Sequence, residues 1–224
     1  MKFNEYPDQD MLAIEVANEI AGDLKTHLLT HDAASFAVAG GTTPGMIFDD
    51  LCAADIEWDR VQIMATDERW VPADSPRSNA AMIRARLLQN RAAAAQLLPF
   101  HVPERQPEEV LAELESQVVP QLPLSVLLLG MGEDMHTASL FPGAEGLEAG
   151  LSDMTTALLV PITAAGEPEP RVSLTANVLN GAMKKHLIII GDEKRAALER
   201  AATLPPEKAP VNAILEGTTV HWAP

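Results

Sequence analysis

Short, wholly apolar runs that stop at a glycine recur along this chain. Phe36-Ala37-Val38-Ala39 ends at Gly40-Gly41, Val126-Leu127-Leu128-Leu129 at Gly130, and Leu187-Ile188-Ile189-Ile190 at Gly191. Such runs, with no polar residue alternating in them, are the pattern of strands buried on both faces. Between them lie stretches with helical spacing. Leu12, Val16, Ile20, Leu24 and Leu28 recur every four residues behind an N-cap read at Asp10. In 107–119, Val110, Leu111, Leu114 and Val118 face inward and the glutamates face water. Further helices are expected over 45–51, with Thr43 as N-cap and Pro44 in the first turn, and over 78–88 behind Ser78. Another runs from Gly191 to Ala202, and Thr175 caps a short one that stops at Gly181. Strands are expected over 61–66, 158–162, Arg171–Leu174 and, at an edge, 219–222. Strands alternating with helices imply a parallel or mixed sheet covered by helices, an α/β fold. No repeat or low-complexity linker divides residues 1–224, so a single domain is expected. The stretches 164–170 and 203–210 read as loops.

Composition narrows the partners. The formal net charge is −16 and aromatic residues make up 4% of the chain. A chain this acidic and this poor in stacking side chains argues against nucleic acid and against an anionic membrane surface. A small anion can bind only where the few Arg and Lys residues converge. Cys52 is the single cysteine, so no intramolecular disulfide can form, and the first residues lack a signal-peptide pattern. No apolar run is long enough to cross a bilayer. A cytoplasmic protein without nucleic-acid or membrane partners is expected, as a monomer or small homo-oligomer.

In open α/β sheets, ligands sit beyond the carboxyl ends of the strands. Four loops here leave such ends. Gly40-Gly41-Thr42-Thr43-Pro44 combines close backbone approach, hydroxyl donors and the positive end of a following helix, the physical parts of a phosphate cradle. It is neither a Walker loop nor a dinucleotide fingerprint, and a tight turn with a helix cap reads equally well. Asp67-Glu68-Arg69, with Arg77, Ser78 and Asn79 downstream, is by itself no more than a solvated ion-pair cluster. Gly130-Met131-Gly132-Glu133-Asp134-Met135-His136 delivers carboxylates and an imidazole into one turn, before a helix-like 137–140. An imidazole with a pKa of about 6.5 suits proton abstraction from water at neutral pH, and a carboxylate orients it. Lastly, Arg171 and Lys194 bring cations. Lys194 opposes the dipole of its own helix, which suggests an anion nearby. Asp134 and His136 resemble half a metal site, but His27, His31, His101, His186 and His221 show no ligand spacing and no CxxC is present. Neither a metal nor a cofactor is expected. The residues favour general-base chemistry on a small phosphorylated substrate, without choosing a sugar.

Taken in order, AGGTTP (39–44), TDERWVP with SN (66–72, 78–79), LGMGEDMHTASLFPG (129–143), PRVSLT (170–175) and GDEK (191–194) resemble the 6-phosphogluconolactonases. The third block is the most specific. These enzymes share a wider fold group with glucosamine-6-phosphate deaminase. The resemblance implies a Rossmann-like, mostly parallel sheet flanked by helices on both faces, no metal, and hydrolysis of 6-phospho-D-glucono-1,5-lactone in the pentose phosphate pathway. It places the base on His136 and its acidic partner on Asp134. Phosphate contacts fall on Gly41, Thr42, Thr43, Arg171 and Lys194, beside Gly40. Arg69 and Arg77 become further contacts to anionic groups, and Asp67 joins the substrate site. One departure stands out: the family has glycine where this chain has Met135, at a point where glycine would permit a backbone angle that methionine resists.

Two other readings stay open. A deaminase or isomerase on the same fold would use Asp67 to move a carbon-bound proton, although the deaminases follow their strand-end acids with tyrosine rather than Arg69-Trp70. A non-catalytic sugar-phosphate sensor would keep the pocket and lose turnover, and Met135 favours that idea.

Overall fold

The computed structural model describes residues 1–224. Ten strands form two sheets. The larger contains β1 (Lys2–Glu5), β2 (Ala34–Val38), β3 (Val61–Ala65), β5 (Gln96–Leu98), β6 (Val126–Gly130), β9 (Lys184–Ile190) and β10 (Thr219–Ala223). Its order is β1-β10-β9-β6-β2-β3-β5, and every pairing is parallel. The smaller is antiparallel, with β4 (Asp67–Arg69), β8 (Arg171–Leu174) and β7 (Leu159–Ile162) in the order β4-β8-β7.

The central strands carry apolar residues on both sides because both sides are covered. Phe36, Val38, Val126, Leu128 and Ile188 point into a core shared with α1 (Gln9–Leu28), α2 (Thr42–Leu51) and α3 (Asn79–Arg86). Ala37, Leu127, Leu129, Leu187 and Ile189 point into the opposite core. There they meet α4 (Pro107–Val118), α5 (Leu147–Leu151), α6 (Ala176–Asn180), α7 (Asp192–Ala201) and the small sheet. This alternation within unbroken apolar runs is what parallel strands between two helical layers require. The stripe Leu12, Val16, Ile20, Leu24 and Leu28 is buried along α1, as its spacing predicts. No helix is long and apolar enough to cross a membrane.

Several local expectations are corrected. Asp8, not Asp10, caps α1: its extended backbone lets the carboxylate accept from the Met11 amide at 2.8 Å, while Asp10 sits in the first turn. Helix α2 begins at Thr42 behind Gly41, so Thr43 lies inside it rather than capping it. Asp67-Glu68-Arg69 is a strand rather than a loop, because β8 offers it an antiparallel partner. Residues 137–140 do not turn as a helix: Thr137 and Leu140 form an isolated bridge, with Ala138 at a φ of 49°. Strand β10 is interior, since β1 adds outside it. β1 and β5, both short edge strands, have no sequence run long enough to announce them. Ser78 does cap α3, accepting from the Ala81 amide at 3.1 Å.

Candidate active site

The loops leaving β2, β6 and β9 converge at the carboxyl end of the large sheet, around a cavity of about 250 Å³. Gly40, Gly41, Thr42, Thr43, Asp67, Arg69, His136, Arg171 and Lys194 all line it. Pieces more than 150 positions apart in sequence thus share one wall, as the topology of an open parallel sheet allows.

Three helices start near this rim, and they differ in how their first amides are used. Glu68, buried at 1% exposure, plugs the start of α3 by accepting from the Asn79 and Ala80 amides at 2.7 and 2.8 Å and from the Ser78 hydroxyl at 3.1 Å. Burial pushes its carboxyl up, and those hydrogen bonds pull part of the way back. Glu68 is therefore a structural cap. By contrast, α2 and α7 begin behind Gly41 and Gly191, and neither has a side-chain cap. Gly41 holds a φ of 103°, which a side-chain-bearing residue adopts only with strain. The uncapped start of α2 faces the cavity with donors and positive dipole, an anion-binding arrangement.

The small sheet supplies what the sequence could not show. Arg69 and Arg171 are directly opposite each other in the β4–β8 ladder. Like charges in that position repel, so the pairing needs anions around it. Arg171 is 5% exposed, bonds Glu167 through Nη2, and has Nη1 4.0 Å from Asp67. Arg69 donates through Nη1 to the Arg77 carbonyl at 2.7 Å. The Nε of each arginine is buried without a partner. Both arginines also line the cavity, so two guanidinium groups share one wall, an arrangement suited to an anionic ligand. Lys194 adds a cation that forms no ion pair, while its neighbour Arg195 bonds Glu5 at 2.8 Å and packs on Trp222.

At the tip of β6, the His136 Nδ1 lies 2.6 Å from the Asp134 Oδ1, and the His136 amide donates to the same oxygen at 3.2 Å. Burial pushes the Asp134 carboxyl up, but the hydrogen bonds and charge of His136 outweigh it and hold it below the usual carboxylate range. Asp134 thus stays ionised and fixes the ring with Nδ1 protonated, leaving Nε2 with no protein partner on a residue that lines the cavity. Gly132 makes room for the pair: a Cβ there would fall 2.3 Å from His136 Nδ1 and 2.5 Å from Asp134 Oδ1. Met135 sits at a φ of 68°, the left-handed angle that glycine would adopt freely, and its carbonyl accepts from the Val211 amide at 3.1 Å.

Three expectations need adjustment. Arg77 does not line the cavity: its side chain is half exposed and pairs with Glu169 at 2.8 Å. Glu133 shares the turn with Asp134 but is exposed and bonds neither Asp134 nor His136. Asp67 faces the cavity but is engaged, accepting from Thr66 at 3.0 Å and Ser139 at 2.5 Å. Asn79, which the sequence placed beside Ser78 in the matching SN pair without giving it a site role, joins the wall and donates to the Asp67 carbonyl at 2.7 Å. Away from this site, His186 and His221 come together with Glu19, with possible ligand atoms within 4.8 Å of one another. Sequence spacing hid this cluster because its members lie on α1, β9 and β10. Its nitrogens are already hydrogen-bonded in a chain from Tyr6 through His221 and His186 to Asp23.

Known proteins share this fold and much of this sequence. The family model for glucosamine-6-phosphate isomerases/6-phosphogluconolactonase matches residues 7–222. A 6-phosphogluconolactonase of Mesorhizobium japonicum is 39% identical, covering 99% of this chain and 95% of its own length. One from Pseudomonas aeruginosa is 37% identical over 93% and 89%. A crystal structure of a 6-phosphogluconolactonase from Shewanella baltica superposes with a TM-score of 0.96 at 30% identity, covering 100% of this chain and 98% of that one. A monomeric glucosamine-6-phosphate deaminase shares the fold, with a TM-score of 0.81 at 17% identity.

Proposed function

The chain belongs to the glucosamine-6-phosphate isomerase/6-phosphogluconolactonase family, and on that premise we propose that this site is the lactonase active centre. The reaction is hydrolysis of 6-phospho-D-glucono-1,5-lactone to 6-phospho-D-gluconate, as named for the relatives. One observation carries the assignment of roles. The His136 ring is bonded to Asp134 through Nδ1 and keeps Nε2 free, on a cavity that also holds the start of α2, Arg69, Arg171 and Lys194.

The phosphate is held by the cations and by the open amides of α2, and this remote binding orients the lactone carbonyl. His136 Nε2 takes a proton from water as the water oxygen bonds to C1. Asp134 balances the imidazolium, and the carbonyl π pair becomes an oxyanion that cavity donors stabilise. When the oxyanion collapses, the bond from C1 to the ring oxygen breaks. That oxygen takes the proton from His136 and becomes the C5 hydroxyl. The new carboxyl group releases its own proton to solvent, so His136 ends neutral.

The isomerase reading needs a carboxylate free to reach a carbon-bound proton. Both oxygens of Asp67 are occupied by Thr66 and Ser139, with Arg171 alongside. That disfavours Asp67 as the mobile base. The test is an assay on freshly prepared lactone, corrected for spontaneous opening, with glucosamine-6-phosphate as the second substrate. Acid production from the lactone without ammonia release from the amino sugar is the expected result. Ammonia release would reverse the assignment, and tight binding of 6-phosphogluconate with no turnover would make the protein a sensor.

A further inference from the structure

Within the block 129–143, the residues after His136 have no part in the mechanism above, yet one of them touches two of its groups. Phe141, 8% exposed, lies just past the Thr137–Leu140 bridge. The centroid of its ring is 4.2 Å from that of the His136 imidazole, with the planes tilted by 33°. The same ring has the Arg171 guanidinium carbon 5.0 Å from its centroid. One aromatic side chain therefore touches both the base and a cation of the anion-binding wall. We propose that Phe141 is a positioning residue of this site: its ring sets the distance between His136 and Arg171 and stabilises the imidazolium that forms during the reaction. This deepens the lactonase reading and rests on it.

Two physical features support the role. The face of a benzene ring carries partial negative charge and attracts cations, so it favours Arg171 at all times and His136 only once protonated. The ring also has two torsions and is almost fully buried, so its contacts are fixed rather than averaged over rotamers. The charged groups around His136 are Asp134, which bonds it, and Asp67, Arg69, Arg171 and Lys194, which line the same cavity. Asp134 and Asp67 favour the imidazolium and the three cations oppose it. The aromatic face adds to the favourable side while holding Arg171 at a set remove.

The informative change keeps the shape of the ring and alters its electrostatics. Pentafluorophenylalanine placed at position 141 reverses the sign of the ring face. The acid limb of the kcat/KM profile should move to lower pH by about half a unit or more, the size expected for a partly buried cation–aromatic contact. Phe141→Leu should show the same direction of shift, with turnover reduced by about tenfold, and Phe141→Tyr should restore the profile. The midpoint of the His136 ring resonance, followed by NMR in the free enzyme, should move likewise. That measurement needs no turnover, so it still judges Phe141 if the lactonase assignment fails. A purely structural phenylalanine predicts another result: lower thermal stability in Phe141→Leu, with pH profile and NMR midpoint unchanged in every folded variant. An unmoved midpoint in the pentafluoro protein overturns the proposal.

Discussion

Two histidine–carboxylate pairs in this molecule look alike on paper and differ in everything that matters for chemistry. Asp134–His136 closes at 2.6 Å, and Asp23–His186 at 3.0 Å. In the second pair the ring continues into a chain, His186 Nδ1 to His221 Nε2 at 3.1 Å and His221 Nδ1 to the Tyr6 hydroxyl at 2.8 Å. Every nitrogen there has a partner, and His221 is fully buried. In the first pair one nitrogen is spare and the ring borders a cavity rich in cations. A carboxylate-held imidazole becomes a base only when its second nitrogen faces a place where substrate can sit. Otherwise it is a strut, here fastening α1 to β9 and β10.

The sharpest way to break this contrast is to remove the base. His136→Ala should cost about 10²–10⁴-fold in turnover, with little change in melting temperature, because the ring stands at the edge of a cavity rather than in the core. Turnover within twofold of the parent, after correction for spontaneous lactone opening, would sink the assignment.

The strut should answer to acid instead. Burial, helped by His186 and Lys2, lowers the His221 pKa from 6.5 to about 3. The unfolded chain therefore binds a proton at this ring across a window in which the folded protein does not. Stability rises with pH from about 3 to about 6.5 and is lost as the pH falls through that range, on the order of 5 kcal/mol in full. Urea unfolding between pH 7 and pH 4.5 should show that slope in the parent and a shallower one in His221→Gln. The folded variant should keep its turnover. Equal slopes would mean that His221 is not the group that titrates.

A smaller effect tests the anion wall. Lys194→Ala should raise KM for the phosphorylated lactone by about tenfold, the value of one charge-assisted hydrogen bond, and leave hydrolysis of unphosphorylated gluconolactone unchanged. Equal weakening for both substrates would move Lys194 from the phosphate to the sugar. Met135→Gly should have the smallest effect. The left-handed angle is already adopted, so kcat/KM should stay within about threefold of the parent. A gain of tenfold or more would show that methionine holds the His136 turn out of place, which is the condition the sensor reading needs.

Much of this architecture was legible before any coordinates. The unbroken runs ending at Gly40, Gly130 and Gly191 mark the central strands because nothing but a two-sided core tolerates them. The α1 stripe is equally plain. Asp134 and His136 were legible as a pair because they are two residues apart and share one turn. The small sheet was legible only in part. Its strands β7 and β8 were expected from their apolar runs, but β4 lies far earlier in the sequence and was hidden inside what looked like a charged loop. Arg77 misled for the opposite reason: it sits near Arg69 in sequence, but its partner is Glu169.

By itself the sequence determined the layers, the central strands, the loops that line the cavity and the local pairing of imidazole with carboxylate. All of these rest on neighbours within a turn or a strand, where periodicity and caps speak directly. Only tertiary structure decided which cations meet at the site, why Glu68 and Asp67 are engaged, and which histidines form a sealed chain. Those outcomes depend on which strands lie side by side, and antiparallel pairing of short segments such as β4 and β8 leaves almost no trace in local sequence.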